Sequence, residues 1–137
     1  MMAVVLDASA ALAWLLPSQA TATADRLLAQ ADDYAFIAPD VFVWEVANVL
    51  VVKARTQSIV VKDAFDQLDG YEIAFDQPLT EGDVRQLAEV ATTAGLSLFD
   101  AAYLALAIER GAVLASRDKP LLSAATAVGV DVIDLRD

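Results

Sequence analysis

Histidine and cysteine are both absent from this chain of 137 residues. Because histidine is the usual general base near neutral pH and the commonest transition-metal ligand, its absence excludes Ser-His-Asp catalysis and most zinc sites. Without cysteine there are no disulfides, no thiolate zinc sites and no cysteine nucleophile. If the chain is an enzyme, carboxylates must carry its chemistry, alone or with a hard metal ion such as Mg²⁺ or Mn²⁺.

Positive charge is also scarce. Nine lysines and arginines face 20 acids, which gives a net charge of −11. A surface of this kind repels nucleic acid at long range, so composition alone argues against a nucleic-acid-binding module. It suits a basic protein partner better.

No apolar run is long enough to span a membrane, because Glu45 and Asn48 interrupt the longest one. The N-terminus lacks the basic region and long apolar stretch of a signal peptide, so we expect a cytoplasmic protein. The apolar fraction of 58% excludes disorder. The length fits a single domain over residues 1–137.

Short apolar runs alternate with helical stripes along the chain. Runs at Ala3, Tyr34 and Ala112 carry no charge, whereas those at Tyr71 and Val130 each contain an acid. The alternation predicts an α/β fold of parallel βαβ units around one sheet, flanked by helices in three layers. Because central strands are covered on both faces, we expect the two acid-containing strands at the edges and the first strand near the middle.

Two local predictions concern the first and third helices. Ser9 follows the first strand by three residues and is expected to cap a helix beginning at Ala10. The stretch from Val41 to about Lys53 is apolar all round except at Glu45 and Asn48, so we expect it to be buried, with Trp44 in the core.

Four acids are candidates for chemistry, and three of them have an ordinary structural interpretation. Asp7 can start a helix, Asp100 can complete a capping box with Ser97, and Asp118 lies in a turn. For each of these three acids considered alone, the structural interpretation is favoured over a role in catalysis. Glu45 is different, because an unpartnered carboxylate in the middle of an apolar helix is costly unless it stays protonated or meets a cation.

Taken together, the acids indicate a metal site. Asp7 and Asp118 each follow a central strand, and the carboxyl ends of parallel strands meet at one edge of the sheet. Asp100 and Glu45 lie early in helices that enter from that edge. An all-oxygen cluster suits Mg²⁺ or Mn²⁺, which activates water and neutralises a phosphoryl transition state. The reaction this predicts is phosphodiester hydrolysis.

The acids belong to four longer segments, Val5–Ser9, Pro39–Asn48, Leu98–Ala107 and Ser116–Leu121. In sequence and order these segments resemble the PIN domain, and more narrowly the VapC toxins of bacterial and archaeal toxin–antitoxin pairs. The resemblance covers nearly the whole chain.

The resemblance implies a five-stranded parallel sheet in the order 3-2-1-4-5 and a Mg²⁺- or Mn²⁺-dependent endoribonuclease. It makes Asp7 and Asp100 the main metal ligands, with Glu45 and Asp118 completing the acidic pocket directly or through water. Three further side chains would orient waters or ligands around the metal: Ser9, Asn48 and Ser116, where the family often has threonine at the last position.

The resemblance also implies partners. VapC-like toxins form homodimers and are silenced by a cognate antitoxin, whose basic segment can occupy the acidic pocket. The net charge of −11 suits that partner. Binding of an RNA substrate would need local basic residues. The candidates can equally be interpreted as solvated surface charges: Lys53, Arg55, Lys62, Arg117 and Lys119.

Two other functions remain open from the sequence. A phosphatase of the haloacid-dehalogenase type also places an Asp after its first strand, but it has a second Asp two residues later, where this chain has Ser9. A non-catalytic regulator could use the same acids to bind a partner's arginines.

Overall fold

The computed structural model describes residues 1–137. Five strands and seven helices follow one another along the chain: β1 (Met2–Leu6), α1 (Ala8–Leu15), α2 (Ala22–Ala29), β2 (Tyr34–Ala38), α3 (Val41–Ala54), α4 (Val61–Asp69), β3 (Ala74–Phe75), α5 (Glu81–Ala94), α6 (Leu98–Arg110), β4 (Val113–Ser116), α7 (Lys119–Ala127) and β5 (Val132–Asp134). Two short 3₁₀ turns lie at Pro17–Gln19 and Ala31–Asp33.

The strands form one parallel sheet in the order β3-β2-β1-β4-β5. The predicted α/β fold, the strand order and the two edge strands are therefore confirmed. Val4, Val5 and Leu6 in β1 are fully buried, as a strand covered on both faces requires. This places β1 at the centre, with β4 beside it and parallel to it.

The edge strands are shorter than the sequence predicts. The run from Tyr71 pairs only at Ala74–Phe75, because Glu72 adopts a left-handed backbone with φ of 56° and interrupts the extended chain. The last strand starts at Val132, so Asp131 lies just before it rather than inside it.

The first helix begins two residues earlier than predicted, and the prediction that Ser9 caps it was wrong. Asp7 is the N-cap: its backbone is extended, and its Oδ1 accepts a hydrogen bond from the Ala10 amide at 3.1 Å. Ser9 lies inside the first turn, and its hydroxyl donates to Asp7 Oδ1 at 2.6 Å. A carboxylate accepts more strongly than a hydroxyl, so Asp7 takes the amide and Ser9 turns towards it.

Helix α3 is buried on one face only, which corrects the expectation for Trp44. Phe42, Val46 and Leu50 recur every four residues and are fully buried in the hydrophobic core. Trp44 is 80% exposed, and Val52, one turn from the end of the helix, is also exposed. An apolar composition does not by itself bury a helix, because only the stripe that faces the core is covered.

No single helix is long and apolar enough to cross a membrane; α5 and α6 meet the length and composition limits only as a pair, with a bend of 101° between them.

Candidate active site

One cleft at the carboxyl edge of the sheet is lined by all four predicted acids. Asp7 follows β1, and Asp118 follows the neighbouring strand β4. Glu45 projects from α3 and Asp100 from the first turn of α6. The cleft has a volume of about 560 Å³, and the predicted Ser9 and Asn48 also line it. The predicted Ser116 is fully buried behind Asp7.

Asp7 is the most enclosed of the acids, with 4% of its surface exposed. Its Oδ1 accepts from the Ser9 hydroxyl and the Ala10 amide, and its Oδ2 accepts from the Ser116 hydroxyl at 2.5 Å. Burial raises the pKa of Asp7 to about 6, although the three hydrogen bonds oppose the rise. The hydrogen bonds therefore hold the Asp7 side chain in one orientation, while burial makes its ionised form unfavourable at neutral pH.

The two serines tie the turn after β1 to the turn after β4. Besides donating to Asp7, Ser116 accepts from the Asp118 amide at 2.9 Å, and Ser9 accepts from the Arg117 amide at 2.9 Å. Asp118 in turn caps α7, because its Oδ2 accepts from the Leu121 amide at 3.0 Å. Asp118 therefore lies in a turn, as its structural interpretation predicted, and its side chain also lines the cleft.

Glu45 is held by a residue that the sequence analysis did not single out. The Tyr103 hydroxyl donates to Glu45 Oε1 at 2.6 Å, and Tyr103 is 1% exposed. Burial raises the pKa of Glu45, the hydrogen bond from Tyr103 opposes the rise, and the charge of Asp118 adds to it. The sequence did contain a signal for this contact. Tyr103 lies one turn after Asp100 in an apolar helix, and the hydroxyl of a buried tyrosine needs a hydrogen-bond partner.

Asp100 is the acid most affected by its neighbours. Burial raises its pKa to about 7, helped by the nearby carboxyl of Asp118 and by the charges of Asp7 and Glu45. Proton loss from Asp100 is therefore less favourable than from an ordinary aspartate. The acids are close enough to disfavour one another's ionisation.

No lysine or arginine neutralises the four acids. The ion pairs of the protein all lie elsewhere: Lys62–Asp66, Arg85–Glu81, Arg110–Asp76 and Arg136–Asp134. The five basic residues considered for RNA binding do not line the cleft. The negative charge gathered here is uncompensated by the protein itself.

The donor set suits a hard divalent cation, because it consists of carboxylate oxygens without nitrogen or sulfur. The carboxylates do not form a closed ligand set: no three of them are arranged around one point. A divalent cation would offset the repulsion between these carboxylates.

A second cleft of similar volume, about 590 Å³, lies between α5, α6 and the residues that precede α5. None of the four acids lines it, and its Asp76 is paired with Arg110 at 2.7 Å. Its other two acids, Asp83 and Glu109, form no ion pair, but neither follows a strand of the sheet.

A sequence profile described as "PIN domain" matches residues 4–126. The chain belongs to the PIN domain family. This confirms the resemblance noted in the four acid-bearing segments, which all fall within the matched residues. A comparison with curated protein sequences gave no match.

Solved structures show the same fold. PAE2754 from Pyrobaculum aerophilum has a TM-score of 0.70 and 21% identity, over 96% of this chain and 90% of that one. VapC20 from Mycobacterium tuberculosis, described as a "Sarcin-Ricin loop cleaving toxin", has a TM-score of 0.65 and 18% identity, over 93% and 95% of the two chains. FitAcB from Neisseria gonorrhoeae has a TM-score of 0.56 and 19% identity, over 97% and 98%.

The stability of this PIN domain without metal should fall as pH rises from about 4 to about 7. Asp7 and Asp100 have pKa values of about 6 and 7 in the fold, against an ordinary value of 3.8. Between these limits the folded chain binds more protons than the unfolded chain, so raising the pH favours unfolding. Thermal unfolding in EDTA, followed by circular dichroism across this range, measures the slope.

Excess Mg²⁺ should remove most of that loss, because a cation stabilises the ionised carboxylates and binds only the folded chain. Asp100→Asn should flatten the slope in EDTA and weaken the response to Mg²⁺. A metal-free protein whose stability rises steadily from pH 4 to 7 would contradict the assignment of raised pKa values to this cleft.

Proposed function

We propose that this PIN domain is a ribonuclease that hydrolyses RNA phosphodiester bonds with Mg²⁺ or Mn²⁺. The observation that carries the proposal is the cleft of four carboxylates with no protein cation to neutralise them. Membership of the PIN domain family supports a nuclease. A bound metal would supply an activated water and would neutralise charge on the phosphate, so the absence of histidine is no obstacle.

In this proposal Asp7 and Asp100 are the main metal ligands. The hydrogen bonds to Asp7 fix its orientation and leave one lone pair, on Oδ2, for an ion. Glu45, held by Tyr103, and Asp118, held at the start of α7, complete the ligand set directly or orient water beside it. Ser9 and Ser116 act by holding Asp7, and Asn48 lines the same cleft.

Removing the metal should abolish cleavage, and restoring it should recover cleavage. Purified protein, freed of any bound antitoxin, is incubated with a labelled RNA pool in Mg²⁺, in Mn²⁺ and in EDTA, and the products are separated by gel electrophoresis. Cleavage that continues unchanged in EDTA would overturn the metal mechanism. An EDTA sample resupplied with Mn²⁺ controls for irreversible loss of the fold.

We further propose that the chain is the toxin of a cytoplasmic toxin–antitoxin pair, acting as a homodimer. A structural neighbour described as a loop-cleaving toxin supports this assignment. The antitoxin would carry a basic segment, because an uncompensated acidic cleft in a protein with a net charge of −11 attracts lysine and arginine. Mass measurement of the purified protein, alone and after co-expression with the protein encoded beside it, tests both partners.

A second candidate function is a non-catalytic regulator, and one observation favours it. The carboxylates are not closed around a point, and both oxygens of Asp7 already accept hydrogen bonds. A regulator would bind an arginine-rich peptide tightly and cut no RNA with any divalent metal. Cleavage that depends on Asp7 excludes it.

A further inference from the structure

The outer edge of the sheet at β3 carries backbone groups that no other part of the chain meets. Because the Asp76 amide donates to the Ala38 carbonyl at 2.9 Å, the backbone groups of Ala74 and Asp76 point towards β2. Those of Phe75 point the opposite way, since successive residues of a strand alternate in direction. Ile73, two residues before Phe75, makes no backbone hydrogen bond. The amides and carbonyls of Ile73 and Phe75, the open edge, are therefore free to pair with a further strand.

A small apolar pocket lies beside the open edge. Ile73 and Phe75 line it together with Val43 on α3 and Phe65 and Leu68 on α4, and its volume is about 200 Å³. Phe75 is 47% exposed and Val43 is 38% exposed, so the pocket is accessible from outside. The two residues that offer free backbone groups thus also offer side chains to the pocket. A strand added at this edge would place every second side chain on the pocket face.

Two acids complete the lining of the pocket, Asp69 at the end of α4 and Glu72. Neither forms an ion pair within the chain. Glu72 has the left-handed backbone with φ of 56°, which is unfavourable for a residue with a Cβ atom. Strain of this kind is concentrated at active sites, ligand clamps and switch regions. The pocket therefore combines an apolar lining with unpaired negative charge.

We propose that the open edge binds an extended segment of a basic partner protein. The segment adds a strand to the sheet, inserts one apolar side chain into the pocket and pairs lysine or arginine with Asp69 and Glu72. Strand addition of this type combines main-chain hydrogen bonds with side-chain pockets. Because β3 is only two residues long, its hydrogen bonds alone give little affinity, and the pocket and the acids determine which segment binds. The proposal is independent of the ribonuclease function, since no residue of the open edge lines the acidic cleft.

Charge favours a basic partner over a second copy of the chain. Pairing β3 with β3 of another copy would bring both sets of acids together, in a protein whose net charge is already −11. The opposite edge of the sheet, β5, is less suited to a partner. Its last residue, Asp134, pairs with Arg136 at 2.6 Å, and charged side chains at an edge disfavour strand addition. Strand β3 carries no charge.

The test uses a capped pentapeptide, acetyl-Lys-Thr-Leu-Thr-Lys-amide, in which the alternation of an extended chain puts the leucine and both lysines on one face. Titrated into isotope-labelled protein and followed by NMR, it should shift the amide signals of Ile73, Phe75 and Glu72. Alanine in place of its leucine should weaken binding by about 10- to 100-fold, because the pocket loses its apolar occupant. Glutamate in place of both lysines should abolish binding.

Methylation of the peptide amides tests the backbone pairing itself. A strand donates to its neighbour only through alternate amides, so methylating the leucine amide and methylating the two threonine amides should have unequal effects. One of the two peptides should bind about 10-fold more weakly or worse, because a methyl group replaces the donated hydrogen and blocks close approach. The other should bind nearly as well as the parent peptide. Equal effects would refute strand addition.

Variants of the protein test the acids. Asp69→Asn and Glu72→Gln should each weaken binding of the pentapeptide by about 2- to 5-fold, the range for an exposed ion pair. Glu89→Gln removes an exposed acid on α5 that does not line the pocket, and it should leave binding unchanged. Equal binding by all three variants would reject the role of Asp69 and Glu72.

Shifts at Asp7, Asn48 and Asp100 in place of those at β3 would overturn the inference, because the peptide would then occupy the acidic cleft. The absence of any shift at millimolar peptide would overturn it as well. Shifts at Ile73 and Phe75 that appear when the protein alone is concentrated, and that the peptide does not reverse, would assign the open edge to a second copy of the chain instead.

Discussion

Replacing Asp7 with asparagine should abolish RNA cleavage and, at the same time, make the metal-free protein more stable at neutral pH. Loss of a proposed ligand should reduce activity by more than about 100-fold, the upper range for groups that merely orient a metal ligand. A merely structural carboxylate would show the opposite pattern, with stability lost and activity falling as a consequence.

The gain in stability follows from the pKa of Asp7. Burial raises it from 3.8 to about 6 in the folded chain, so the ionised carboxylate destabilises the fold above that pH. Asparagine stays neutral and keeps an oxygen that can accept from the Ala10 amide. Two pKa units correspond to about 2–3 kcal/mol, which raises Tm by roughly 5–10 °C for a domain of this size.

Differential scanning calorimetry of the wild type and Asp7→Asn, in EDTA at about pH 4 and pH 8, measures this difference. The gain should vanish at the lower pH, where the wild-type carboxyl is also protonated. Excess Mg²⁺ should reverse the order at the higher pH, because only the wild type keeps its full ligand set. Glu89→Gln, an exposed acid on α5 away from the cleft, is the matched control and should change neither activity nor stability. An Asp7→Asn protein that is less stable at every pH would refute the assignment.

Tyr103→Phe should reduce metal affinity and activity by about 10- to 100-fold with little effect on the fold. The substitution keeps the buried ring and removes only the hydroxyl that donates to Glu45 Oε1 at 2.6 Å. Glu45 is partly exposed, so water can take over the lost hydrogen bond, but it does not fix the carboxylate in one rotamer. Binding a cation then requires that Glu45 be ordered at the same moment, which lowers affinity.

Titration with Mn²⁺ followed by electron paramagnetic resonance measures this affinity without relying on activity. Tyr71→Phe is a close control, because the Tyr71 hydroxyl also takes part in a hydrogen bond of 2.6 Å, with Gln67, outside the cleft. Both variants should lose about 1 kcal/mol of stability. If they bind Mn²⁺ equally well, Tyr103 has no role in holding Glu45 for a metal.

The central and edge strands and the meeting of the acids were predictable because they depend on patterns that a sequence displays, whereas the full strand order came from the resemblance to the PIN domain. Uncharged runs occupy the covered strands, acid-containing runs occupy the edges, and parallel strands bring Asp7 and Asp118 to one side. The exposure of Trp44 was not predictable, since helix α3 has apolar residues on both faces and only the fold decides which face meets the core.

The contact between Tyr103 and Glu45 could not be predicted from the sequence either. The two residues are separated by 58 positions and meet only because α3 and α6 enter the cleft together. The choice between Asp7 and Ser9 as the cap of α1 was open for a different reason, because both residue types are good caps. The hydrogen bond that Ser116 donates to Asp7 Oδ2, which helps to hold the carboxylate, comes from a residue 109 positions away.

The serine bridges across the turns after β1 and β4 have a consequence for how this protein is made. Asp7 leaves the ribosome early, but Ser116, which holds it, follows 109 residues later. Strand β1 also has no neighbour on one side until β4 has been synthesised. A growing chain therefore carries its acids apart for most of its synthesis, and the cleft assembles only near completion.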